Sequence, residues 1–108
     1  MSTTIICPNK DQTFTEITEG QKVTAKYKIV NDGYAPVLIT QVNTSCGCTV
    51  GKFSRDPIQP NGSSEVELVF DTKNRKGVNL KSATVQGTFQ PPIILTLKVH
   101  VIWQQKNQ

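Results

Sequence analysis

Gln21-Lys22-Val23-Thr24-Ala25-Lys26-Tyr27-Lys28-Ile29 decides the fold class. Val23, Ala25, Tyr27 and Ile29 fall at every second position, with Lys22, Thr24, Lys26 and Lys28 between them. Successive side chains of a strand point to opposite faces, so this stretch predicts a strand buried on one side and wet on the other. Asn31-Asp32-Gly33 follows as a turn. A second strand, Val37 to Val42, is predicted behind Pro36, because proline is tolerated at a strand's first residue.

The same period recurs along the chain. Ser64 to Asp71 places Val66, Leu68 and Phe70 inward and Glu65 and Glu67 outward. Ile93 to Trp103 is the longest run, with Ile93, Leu95, Leu97, Val99, Val101 and Trp103 on one face and Thr96, Lys98 and His100 on the other. Eleven residues is long for a strand, so a bend or a change of partner is expected within it. Leu80 to Gln86 is more polar and reads as a strand near a sheet edge. Phe14 to Ile17 and Ile5 to Cys7 read as short strands. Turn residues separate these segments at Glu19-Gly20, 57–62, 73–77 and Gln90-Pro91-Pro92. Six or seven short strands with such turns point to a sandwich or a small barrel.

Composition bounds the function. With 108 residues there is room for one domain, its core expected over roughly 13–103 with a short tail, 104–108. Apolar residues at 36% and charged residues at 19% fit an ordered domain and argue against disorder. The net charge of +4 could suit an acidic partner, but the basic residues are dispersed and include only Arg55 and Arg75 as arginines. Nucleic-acid readers cluster arginine with exposed aromatics, so a solvated basic surface is the expectation and nucleic acid is not. No run approaches the roughly 18 apolar residues of a membrane span. The first residues lack the basic start and apolar run of a secretion signal, so a virion or cytoplasmic setting is expected over an extracytoplasmic one.

Cys46-Gly47-Cys48 is the cluster that could carry chemistry. Thiolates bind zinc or copper(I), but a four-ligand zinc site would need Cys7, Cys46, Cys48 and His100 to converge, and His100 belongs to an outward face. A redox pair would need a helix N-terminus or a cation to activate it, and no helix is expected. A disulfide from Cys7 to one of the pair would leave an odd thiol. The expectation adopted is that the cysteines act as small buried hydrophobes, with Gly47 permitting a bulge, and that metal and cofactor are absent. No Gly-rich phosphate loop is present, and Glu65 with Glu67 share a solvent face, where nothing tunes them into an acid–base pair. The protein is not expected to be an enzyme.

Between Asn31 and Thr72 the chain resembles a widespread bacterial family of unknown function. The elements that carry the resemblance are Asn31-Asp32-Gly33, Pro36-Val37-Leu38-Ile39, Ser45-Cys46-Gly47-Cys48-Thr49, Pro57-Ile58, Pro60-Asn61-Gly62 and Val69-Phe70-Asp71-Thr72, with Gly77 to Lys81 after them. This chain departs from the pattern by inserting Asn61 between proline and glycine, and by reading Gly87-Thr88-Phe89 where the family often shows asparagine. The family is similar to immunoglobulin-like domains of the major sperm protein and ASH type. The resemblance implies an all-β, immunoglobulin-like sandwich of seven to eight antiparallel strands that binds other proteins and has no assigned catalytic residue.

A non-catalytic structural or protein-binding module is therefore expected, in its most concrete form a small subunit of a homo- or hetero-oligomeric assembly such as a phage virion. The alternatives are an extracytoplasmic interaction domain, or a thiol-based metal or redox protein using Cys46 and Cys48. Docking would use an edge strand, the loops Lys52 to Gly62 and Lys73 to Gly77, or the tail Gln104 to Gln108.

Overall fold

Alternation becomes burial through Lys22–Asn31, Ser63–Asp71 and most of Phe89–Ile102. The computed structural model describes residues 5–45 and 49–103, and within them eight strands follow in order. They are β1 (Ile5–Ile6), β2 (Asp11–Thr18), β3 (Lys22–Asn31), β4 (Ile39–Thr44), β5 (Thr49–Phe53), β6 (Ser63–Asp71), β7 (Gly77–Gly87) and β8 (Phe89–Ile102). They form two four-stranded sheets, ordered β1-β3-β6-β5 and β2-β8-β7-β4.

The inward phases of β3 and β6 bring Tyr27, Ile29, Leu68 and Phe70 against Val85, Leu95, Leu97 and Val99 of the facing sheet, all with no more than 1% of their surface exposed. Each such side chain contributes about 1.5–3 kcal/mol through burial. Tyr27 also ties the sheets together, its hydroxyl donating to the Thr96 carbonyl at 2.7 Å. Burial pushes the Tyr27 phenol up to about 12. The outward phases place Lys28 opposite Glu65 and Lys26 opposite Glu67, with Lys52 on the other side of Glu67. Opposite charges facing across strands support the sheet, and they break up what would otherwise be a basic stripe.

The structure revises four expectations. Residue Val37 lies outside β4, forming an isolated bridge with Ile58 through two main-chain hydrogen bonds of 3.0 and 2.7 Å. β7 starts at Gly77, ahead of the expected Leu80, and lies beside the edge strand β4, near a sheet edge as its polar pattern suggested. That start is masked because Val78 and Leu80 point outward, 53% and 69% exposed, while Lys81 takes an inward-phase position with its ammonium 5.5 Å from the centre of the Phe70 ring. Trp103, in phase with the core, lies just past the end of β8 and is half exposed. The antiparallel rule does not extend to β2, which pairs with β8 in parallel. β2 continues the path of β1 down the flank of the sandwich without a reversal, so it arrives in the same direction as the last strand. Long β8 accordingly serves two partners, β7 along one edge and β2 along the other.

Candidate docking cleft between β1 and β8

Cys7 to Lys10 carries the chain from one sheet to the other. β1 pairs with β3 through Ile5 opposite Asn31 and Ile6 opposite Val30, whereas β2 pairs with β8 from Asp11 opposite Thr96 onward. Between them the Lys10 N–H donates to the Cys7 carbonyl at 3.2 Å, and the Lys10 carbonyl accepts the Thr96 N–H at 2.8 Å. A changeover this abrupt deprives two stretches of strand edge of a main-chain neighbour, one on β3 and one on β8.

The β3 stretch is sealed by side chains. Asn9 Nδ2 donates to the Lys26 carbonyl at 3.1 Å, Asn9 Oδ1 accepts the Lys28 N–H at 3.0 Å, and Gln12 Nε2 also donates to Lys26 at 2.7 Å. The Asn9 amide thus stands in for a strand residue, offering one donor and one acceptor at the sheet edge. The β8 stretch has no such seal among the described residues. Thr96 turns its N–H toward β2, and strand alternation turns the N–H and C=O of Ile94 the same way. Among the described residues, pairing on this side begins only at Thr96. One step further along the edge, Pro92 has no N–H to offer.

Beside this edge lies a cleft of about 670 Å³. Ile5, Ile6 and Pro8 form one side, and Pro92, Ile93 and Ile94 the other. That volume lies within the roughly 300–1,000 Å³ of ordinary binding sites. Cys7 also lines it, with 8% of its surface exposed and its thiol donating to Asn9 Oδ1 at 3.5 Å. Burial pushes the Cys7 thiol up, which disfavours the thiolate needed for nucleophilic or metal chemistry.

Lys10 is the charged residue of the cleft, and it pairs with Asp11 at 3.1 Å. The Thr96 hydroxyl donates to the other Asp11 oxygen at 2.6 Å. That hydrogen bond, followed by Lys10, holds the Asp11 carboxyl below its ordinary value of 3.8. A carboxylate lowered in the folded state stabilises the fold above its unfolded pKa, and the contribution is lost as pH falls through the folded one. Thr96→Val is expected to move Asp11 back up, by an NMR titration of its carboxyl. Its stability should also fall less steeply than the parent's on acidification below pH 4, roughly the unfolded value.

The other candidate residues do not join this cleft. Cys46 and Cys48 lie outside the described residues, as does the tail 104–108. His100 is exposed on the outer face of β8, opposite Val78 of β7. Among the described residues no three His, Cys, Asp or Glu side chains come together as metal ligands would. Of the two loops expected to dock partners, the one before β6 is pinned to the core, and Lys73 to Gly77 is largely exposed but tied at its base to the Glu19-Gly20 turn. Ile58 is buried and the Asn61 N–H donates to the Asn31 carbonyl, while the buried Thr72 accepts the Gly20 N–H and the Asn74 N–H reaches Glu19. Sequence reasoning missed the cleft itself; its only local signals are the prolines at 8, 91 and 92.

Comparison with known proteins agrees with this architecture. A model of a protein family of unknown function, DUF1573, matches residues 5–101. No curated protein matches the chain by sequence. A protein of unknown function from Porphyromonas gingivalis W83 superposes with a TM-score of 0.77 at 15% identity, over 92% of this chain and 47% of that one. This chain therefore spans less than half the length of that protein. The ASH / PapD-like domain 7 of human CEP192 superposes at 0.66 and 13% identity, over 96% and 89% of the two chains. The CupB2 chaperone of Pseudomonas aeruginosa does so at 0.62 and 13%, over 89% and 55%. At these identities the likeness shows the fold, an immunoglobulin-like sandwich of the PapD type, while the match over nearly the whole sequence shows the family: the chain belongs to DUF1573, a family of unknown function.

Proposed function

We propose that this domain is a protein-interaction module that catalyses nothing, and that it docks its partner in the cleft between β1 and β8. The observation that carries the reading is the edge of β8 ahead of Thr96, which no strand pairs with among the described residues and which lies beside two apolar walls. The sandwich folds it resembles include ASH/PapD-like domains and a chaperone, which supports an interaction role. A small subunit of a larger assembly, a phage virion among the possible kinds, is the setting such a module would suit.

Site-specific photo-crosslinking tests the reading. A crosslinking amino acid is placed at Ile93 in the cleft, at Leu80 on the outer face of the β2-β8-β7-β4 sheet, and at Glu65 on the outer face of the other. In the producing cells, a discrete protein adduct is expected from position 93 and neither of the others. Equal adducts from all three, or an adduct from 65 or 80 alone, would place the docking surface elsewhere.

A further inference from the structure

We infer that the occupant of the cleft is an extended segment of another polypeptide, which adds to β8 as a strand ahead of β2. The inference rests on the reading of the cleft as a docking surface and names what fills it.

Four observations carry it. The chain seals the orphaned edge of β3 with Asn9 and Gln12, yet among the described residues nothing pairs with the equivalent edge of β8. The open groups are the N–H and C=O of Ile94, and a main chain in extended form supplies both complements at strand spacing. The slot is continuous with an existing pairing, because β2 already lies along the same edge from Thr96 onward. From Gln90 to Leu95 it is six residues, roughly 20 Å of strand. The walls then fix the chemistry of the segment. A residue beside Ile93 would point into the cleft toward Ile5 and be apolar, and one beside Ile94 would lie on the outer side of the sheet and face water.

Most of the other described edges are protected. On the opposite flank β4 and β5 close on each other: a Cβ built on Gly51 would meet Val42 Cγ1 at 2.7 Å, the Thr44 hydroxyl donates to the Thr49 carbonyl, and Arg55 reaches the Thr40 carbonyl at 3.4 Å. The outer edge of β2 is interrupted by a bulge between Phe14 and Ile17, where Glu16 has φ 56°, a device that discourages edge pairing. Exposed Val78 and Leu80 sit on the part of β7 that lies beyond its last β4 pair at Ala83 and that pairs, among the described residues, with β8 alone, but no cleft with apolar walls flanks that edge there.

The test is a selection of phage-displayed random ten-residue peptides on the full chain, followed by hydrogen exchange with the selected peptides bound. Enriched peptides are expected to be apolar at alternate positions and to slow exchange of the Ile94 amide at least 100-fold. They should bind Ile94→Pro at least tenfold more weakly. That substitution removes an N–H that has no partner in β7, so the β7 ladder keeps its hydrogen bonds. Exchange at Ile94 is read on the unsubstituted chain, so the test holds even if the variant folds poorly. Peptides that shift cleft amides but leave Ile94 exchange unchanged would overturn strand addition while leaving the cleft a docking surface. Peptides that bind the outer faces instead would overturn both, and a selection without enrichment would overturn the inference.

Discussion

Asn31→Asp is expected to lower the unfolding free energy by about 3 kcal/mol or more, although it changes no volume. Asn31 is fully buried at the end of β3 and uses every polar atom it has. Its Nδ2 donates to the Ala35 and Ile58 carbonyls at 2.9 and 2.8 Å, and its Oδ1 accepts the Gly33 N–H at 2.9 Å. Its own N–H and C=O bind Gly62 and Asn61. One side chain thus shapes the turn after β3 and anchors the loop before β6. An aspartate would lose both donors and aim a negative charge at two carbonyl oxygens, and each buried group left unpaired costs about 1–3 kcal/mol. For a domain near this size the melting temperature should fall by more than about 10 °C. Burial would raise the pKa of the introduced carboxyl in the folded state. A raised folded pKa gives stability that is present below the unfolded pKa and lost as pH rises through the folded one. The deficit against the parent should therefore be smallest near pH 4 and grow toward neutral pH, by thermal denaturation across that range.

Gly87→Ala is expected to cost about 3 kcal/mol or more, and Gly20→Ala only about 1 kcal/mol. At Gly87 the start of β4, the end of β7 and the start of β8 meet, and a Cβ would lie 2.1 Å from the Leu38 carbonyl oxygen and 2.5 Å from the Phe89 ring. The Leu38 oxygen cannot simply swing away, because it accepts the Thr88 N–H while the Leu38 N–H donates to the Thr88 hydroxyl. Gly20 has φ 97° but open space around it, so its penalty is backbone strain alone. Urea denaturation of both variants separates crowding from strain.

How far these features could be read from sequence depends on which forces set them. The alternation in β3, β6 and the second half of β8 is written residue by residue, because burial on one face selects it directly. The start of β7 resisted reading because its apolar Val78 and Leu80 lie on the solvent side and its Lys81 on the core side. Phe14 and Ile17 are an odd number of residues apart, yet both pack against the core, because the bulge at Glu16 restores their phase. Val37 left its strand to bridge Ile58, whose carbonyl Asn31 also holds from 27 residues away in sequence. The cleft was hidden for the same reason. Nothing in Cys7-Pro8-Asn9-Lys10 says that the chain changes sheets there, since the partners it leaves and joins are β3 and β8.

Amide hydrogen exchange on the isolated domain tests most directly whether that change of sheets leaves an open edge. The N–H of Leu95 points into the β7 ladder, that of Lys28 is held by Asn9, and that of Ile94 faces the cleft. Exchange at Ile94 is expected to be orders of magnitude faster than at Leu95, and faster than at Lys28 despite the exposed position of the Asn9 bond. An Ile94 amide as protected as that of Leu95 would mean the edge is already filled, and would contradict the account of the cleft as a docking site.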